Sequence, residues 1–232
     1  MYEIVVKSRR REDHVKVLRN VFERFRIFKL RLNPLKCTFG VSTRKFLGFL
    51  VHSRWIDVDL AKAVAIANMK PPAIVKRLKS LLGKVSYIRR FIPGLASITL
   101  AFMKLLKKGK GFEWGDAKAF QKLQQIMMNL FTVQAPVRKK PLLLYLTSCP
   151  SAIGALIAQE DGGDDEQPVY YTSHALRDAE TRYPRAEKAC LAIIYASQRL
   201  GHYFLAYKVN LMMKSHAIKV LLRQPILSGR IS

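Results

Sequence analysis

Between Leu142 and Glu160 the sequence reads LLLYLTSCPSAIGALIAQE. An apolar strand, Leu142 to Leu146, runs into a small polar turn, Thr147-Ser148-Cys149-Pro150, and a second apolar run follows. A strand end of this layout is a place from which a carboxylate can hold a divalent ion. Here the turn carries hydroxyls and a thiol but no acid. Ser148 and Cys149 have no base partner at a spacing that would make either a nucleophile. Asp161, Asp164, Asp165 and Glu166 surround Gly162-Gly163 and are expected to form a solvated hairpin loop. His216 stands alone, and one imidazole without partners is not a metal site. Cys37, Cys149 and Cys190 are widely spaced, with no CxxC pattern, which argues against zinc. The odd cysteine count suits a reducing, intracellular compartment.

Charge is the strongest signal. The 232 residues contain 41 Lys+Arg and 16 Asp+Glu, a net charge of +25. Residues 1–140 hold 31 basic and 8 acidic residues, whereas residues 141–232 hold 10 and 8. A basic half joined to a near-neutral half points to a polyanion, with nucleic acid favoured over an anionic membrane. No apolar run approaches 18 residues, so no membrane span is expected. The opening MYEIVVKSRRREDH puts its apolar residues before its basic ones, the wrong order for a secretory signal.

Elements must position these groups. YEIVVKS is expected as a short strand. Val15, Leu18, Val21, Phe22, Phe25 and Phe28 recur every three or four residues and predict an amphipathic helix. RLNPLKCTFGV is turn-rich. KFLGFLVHS is expected as a strand with Gly48 inside it, and RWIDVD as its returning partner. Four basic helices follow: DLAKAVAIANMK, AIVKRLKSLLGKVSYIRRFI, LASITLAFMKLL and GDAKAFQKLQQIMMNL. TVQAPVRKKP is extended and suggests a boundary. Beyond it come strands LLLYL, IGALIAQ and PVYYTSHAL, a long helix AETRYPRAEKACLAIIYASQRLGHYF, a strand KVNLMM and a short helix HAIKVLL. Strands, helix and strand in this order describe the first part of a ribonuclease H-like domain, and the fold class is α+β.

LRLNPLKCTFGVSTRKFLGFLV, MKPPAIVKRLKSLLGKVSYIRRFIPGLA and LYLTSCPSAIGALIAQE…PVYYTSHALRDAETRYPRAEKACLAIIYASQRLGHYF resemble, in order, the pol polyprotein of gypsy-type LTR retrotransposons. LLRQPILSGRIS resembles it too. The resemblance implies three regions: 1–58, the end of a reverse-transcriptase palm with a primer-grip-like hairpin; 59–140, a helical thumb and connection; and 141–232, a ribonuclease H-like domain truncated at its C-terminus. It implies template-primer duplex or RNA–DNA hybrid as partner, with the rest of a pol polyprotein, and Mg²⁺ as the cofactor of the intact family.

Carried over residue by residue, the family's two-metal sites lack their acids. The paired palm aspartates fall at Tyr2 and Glu3. The ribonuclease H carboxylates fall at Thr147, at Ala189, and at Ser215 or His216, with the fourth beyond Ser232. Hydroxyl and methyl groups do not supply the charge that holds Mg²⁺. Glu187 is two residues from Ala189, about 200° around a helix, and is no substitute. No metal site is therefore expected in this chain, and no catalytic residue. The resemblance places Lys76, Arg77, Lys79, Lys84, Arg89 and Arg90 against phosphates, and Gly48 where backbone approaches nucleic acid. Tyr87 and Phe91, spaced i, i+4, are expected in the helical core rather than stacked on bases. Two readings stay open: a pol fragment that binds without catalysis, and a non-enzymatic basic nucleic-acid-binding or protein-connector module.

Overall fold

The computed structural model describes residues 4–8, 10–41, 43–46, 48–52, 54–106, 114, 117–163 and 165–212. They divide into two compact units, Met1–Ser53 and Arg54–Ser232.

In the first unit, helix α1 (His14–Ile27) forms where the apolar period predicted it. None of its residues is buried. Phe22 meets Phe25 and Phe39 edge-on, each at 6.4 Å between ring centroids. Residues 4–8 form no strand, contrary to expectation. A lone β-prone run gains no ladder without a partner, and no strand pairs with them among the described residues. Strands β1 (Arg44–Phe46) and β2 (Phe49–Val51) make an antiparallel hairpin closed by Phe46 opposite Phe49. Gly48 therefore lies in the turn, not inside a strand. Its φ of 75° is in the left-handed region that glycine enters without a Cβ clash.

The second unit starts with β3 (Trp55–Val58), antiparallel to β4 (Val133–Gln134). Between them lie the four expected helices: α2 (Leu60–Ala67), α3 (Val75–Tyr87), α4 (Leu95–Lys104) and α5 (Ala117–Met128). Asp59 caps α2 by accepting the Ala61 N–H at 3.2 Å. Pro71-Pro72 separates α2 from α3. After α3 the chain tightens into a 3-10 turn, Arg89–Phe91, and Gly94, with φ 61°, opens α4. Leu78, Leu81, Val85, Phe91, Phe102 and Leu123 are fully buried. Trp114 stacks on Phe102 at 5.7 Å and meets Phe120 edge-on.

The second sheet has the order β7-β6-β5-β8, from β5 (Leu142–Ser148), β6 (Ala152–Glu160), β7 (Glu166–Ala175) and β8 (Val209–Met212). The first three are antiparallel neighbours, and β8 runs parallel to β5. Such a parallel pair needs a crossover, and helix α6 (Arg185–Arg199) supplies it. The expected single helix over 179–204 is broken into a 3-10 turn (Asp178–Arg182), α6 and a short α7 (Gly201–Ala206). Pro184 lacks the N–H that an interior position needs, so α6 starts immediately after it. The expected helix HAIKVLL lies outside the described residues.

Alternation puts successive side chains on opposite faces. Leu142, Leu144, Ala155 and Ile157 pack with Ala196 of α6 and with Leu200. The other face meets α4, where the Ala96 N–H donates to Ser173 Oγ at 2.9 Å. The turn Arg89–Phe91 packs beside β7, so the basic helices and the sheet share one core. Phe91→Ala is expected to cost about 3–5 kcal/mol in urea unfolding. A loss below about 1 kcal/mol would show that this turn is not seated in the core.

Candidate nucleic-acid interface

Helix α3 divides its residues by period. Leu78, Leu81 and Val85 point inward and are buried. At about 100° per residue, Lys76, Lys79, Ser80, Gly83, Lys84 and Tyr87 fall on the other side, and all are exposed. The face has small residues at its centre and cations around them. A Cβ built on Gly83 meets nothing within 4 Å, so its backbone is open to an approaching chain. Lys62 of α2 extends the face, its ammonium 4.5 Å from the Tyr87 ring centroid. Lys84 reaches back toward Met69, with Nζ 3.9 Å from Sδ. Arg77 and Arg89 are also exposed.

Two expectations on this helix need correction. Arg90 does not stand out toward solvent: it is half-buried, with its guanidinium carbon 5.0 Å from the Phe91 ring centroid. Burial pulls its pKa down, while Tyr203, Tyr170 and Tyr87 act in the opposite direction. The 3-10 turn rotates Arg90 inward, away from the direction a continued α-helix would give it. Tyr87 is not a core residue either, being 42% exposed, whereas Phe91 is fully buried as expected. Gly83 and Ser80 were missed by sequence reasoning. The available signal was small residues at i and i+3 between lysines on the polar stripe.

The ribonuclease H-like positions lie at the opposite end of β5 from its entry. Thr147 pairs with Gly154 across β5 and β6. Its Cγ2 is 3.1 Å from where a Cβ on Gly154 would stand, with Ser173 Cβ also close. Thr147, Gly154 and Ser173 therefore share the face that meets α4. Ala189 comes from α6 on the other face, one residue after Lys188. Lys188 is 8% exposed, and its ammonium donates to Pro150 O at 3.1 Å and Thr181 O at 2.8 Å. Lys188 thus ties the first turn of α6 to the β5–β6 turn, bringing Ala189 to the same sheet end as Thr147 but not to the same face. Glu3, Ser215 and His216 lie outside the described residues.

The donors do not fit a divalent metal. A threonine hydroxyl and an alanine methyl stand at the two described positions, and no group of three or more His, Cys, Asp or Glu converges among the described residues. The acids of the β6–β7 loop are partly engaged. Asp161 accepts from Gln134 Nε2 at 3.1 Å, and Glu166 accepts from the Tyr145 hydroxyl at 2.6 Å. The bond to Glu166 raises the Tyr145 pKa. Near the start of α6, His174 stacks on Tyr195 at 5.1 Å and lies 3.6 Å from Glu180.

Comparison with known proteins bears on the fold. Residues 112–211 match the model of the RNase H-like domain found in reverse transcriptase. That span includes α5 and β4 as well as the sheet. The Tf2-3 and Tf2-4 transposon polyproteins of Schizosaccharomyces pombe are 28% identical over 205 residues, covering 88% of this chain. The chain spans 15% of their length. Among solved structures, the foamy viral protease-reverse transcriptase dRH in complex with double-stranded DNA superimposes with a TM-score of 0.78 at 18% identity, covering 95% of this chain and 39% of its own. The same viral protein in complex with an RNA/DNA hybrid gives 0.75 at 18% identity, with 96% and 31% covered. The fold is that of reverse-transcriptase and ribonuclease H-like domains, a mixed α+β architecture as expected.

The Thr147–Gly154 contact is a test of this register. Gly154→Ala is expected to destabilise by about 1 kcal/mol, because the new methyl presses on Thr147 Cγ2. Thr147→Ser removes that Cγ2, and a double-mutant cycle should then show coupling of at least about 0.5 kcal/mol. Strict additivity would place the two side chains on different faces.

Proposed function

We propose that this chain is a nucleic-acid-binding segment of a gypsy-type retrotransposon pol polyprotein, running from the end of the palm through the thumb and connection into a ribonuclease H-like domain. It holds template-primer duplex or RNA–DNA hybrid and does not itself polymerise or cleave. The observation that carries this reading is the outer face of α3, with cations flanking an open glycine backbone. Cations on a helix bind phosphates without reading sequence, releasing counterions as they do so. Gly83, where a Cβ would meet nothing within 4 Å, leaves its backbone open to a sugar-phosphate strand. The neighbours in fold were solved on double-stranded DNA and on an RNA/DNA hybrid, which supports the choice of ligand.

Binding is expected to show little sequence preference and to fall steeply with salt. With about six phosphates contacted, the loss between 50 and 200 mM salt is roughly 10³-fold. Replacing Lys76, Arg77 and Lys79 together by alanine should lower both affinity and salt slope in fluorescence anisotropy. An unaltered slope would remove α3 from the interface.

The catalytic half of the proposal rests on donor chemistry. Two-metal hydrolysis needs carboxylates converging on the ions, and Thr147 and Ala189 provide none. No Mg²⁺ is therefore assigned to this sheet. A labelled RNA–DNA hybrid incubated with the chain and Mg²⁺ or Mn²⁺ should remain intact, and a primed homopolymer should take up no labelled dNTP. Cleavage abolished by EDTA, or incorporation above the buffer control, would show that the chain is a working enzyme.

A further inference from the structure

Gln159 lies within β6 at 1% exposure, and among the described residues its amide bonds to the backbone of residues 137–141. Its Oε1 accepts from the Val137 N–H at 2.7 Å. Its Nε2 donates to Val137 O at 3.1 Å, Lys140 O at 3.2 Å and Pro141 O at 3.5 Å. Two more ties flank the same segment: the Tyr207 hydroxyl donates to Pro136 O at 3.3 Å, and the Leu142 N–H donates to Lys208 O at 2.9 Å. Lys139 is held at φ 69°, a left-handed conformation that costs a side chain other than glycine about 1–2 kcal/mol. A buried amide and a strained lysine are thus committed to one exposed turn.

What the turn presents is charge. Arg138, Lys139 and Lys140 are exposed in succession, and Lys208 stands beside them at the start of β8. Lys140 leans toward the acidic β6–β7 loop, with Nζ 3.5 Å from Glu160 O. Arg138, Lys139 and Lys208 have no ion-pair or hydrogen-bonding side-chain partner among the described residues. The cations occupy the β5–β8 half of this sheet end, and the acids occupy the β6–β7 half.

We infer that Arg138, Lys139 and Lys208 form a second contact for the phosphate backbone of duplex nucleic acid, on the ribonuclease H-like sheet and separate from α3. This rests on the nucleic-acid reading proposed above. Cations on a turn already fixed by Gln159 lose little freedom on binding. Positive charges without an aromatic anchor suit a polyanionic backbone better than a peptide, whose affinity concentrates in a few buried anchors.

The test is fluorescence anisotropy of the full chain with a labelled B-DNA duplex across a salt series. R138A/K139A/K208A should retain its far-ultraviolet circular dichroism and lower the slope of log K against log salt by about 2 to 3. Lys139→Gly alone should lower the slope by about 1 with no loss of melting temperature, since glycine accepts the positive φ. An unchanged slope in the triple variant, while the α3 variant loses slope, would overturn this contact and leave the α3 reading intact. Polyglutamate competing as well as duplex DNA would also overturn it, by assigning the turn to acidic peptides. Absence of duplex binding by the unaltered chain would remove both readings together.

Discussion

The arrangement of the second unit depends on how Ile88 to Ile92 is buried beside β7. Ile88, Phe91 and Ile92 are almost completely buried, and this segment joins the end of α3 to the start of α4. If it shifted, α3 would lose its orientation and α4 its seat over Ser173. Burial of three large apolar side chains is worth several kcal/mol by area alone. That is enough to hold a helix whose outer face carries repelling lysines. The half-buried Arg90 follows from the same packing: its guanidinium lies among Phe91, Tyr170 and Tyr203 because the tight turn carries it there.

The two ends of the second sheet have gone different ways chemically. At the end of β5, where Thr147 sits, positions that would need negative charge to hold metal are neutral. At the start of β5, positive charge is concentrated and mechanically fixed. A chain of net charge +25 stores considerable self-repulsion, which a polyanion relieves on binding. Lys188 shows the opposite use of a cation. Its ammonium is spent on Pro150 and Thr181 carbonyls inside the protein, where it holds a helix to a turn.

Much of this could be read from the sequence because apolar period is a local property. The stripes of α1, α3 and α5, and the strands β5 to β7, appear where spacing put them. The failures share a cause, which is that they depend on what lies across space. Residues 4–8 have strand-forming side chains but no strand partner among the described residues. Gly48 looked like a strand interruption because the sequence does not reveal where a ladder reverses. Arg90 shared the basic composition of its neighbours, and only the switch from α to 3-10 geometry separates it from them. Gln159 gave no signal at all: a glutamine in an apolar strand reads as an imperfection until the loop it supports is seen.

The parallel pairing of β5 with β8 has a consequence for synthesis on the ribosome. Leu142 finds Val209 only after β6, β7 and α6 have been made. Until then one long edge of β5, rich in leucine, has its backbone groups unpaired. Closing so distant a pair is entropically slow compared with the adjacent hairpins. A chain interrupted before Val209 would keep that edge open and be prone to strand-to-strand association, so translation through β8 is the point at which the Leu142–Tyr145 edge of β5 can be covered.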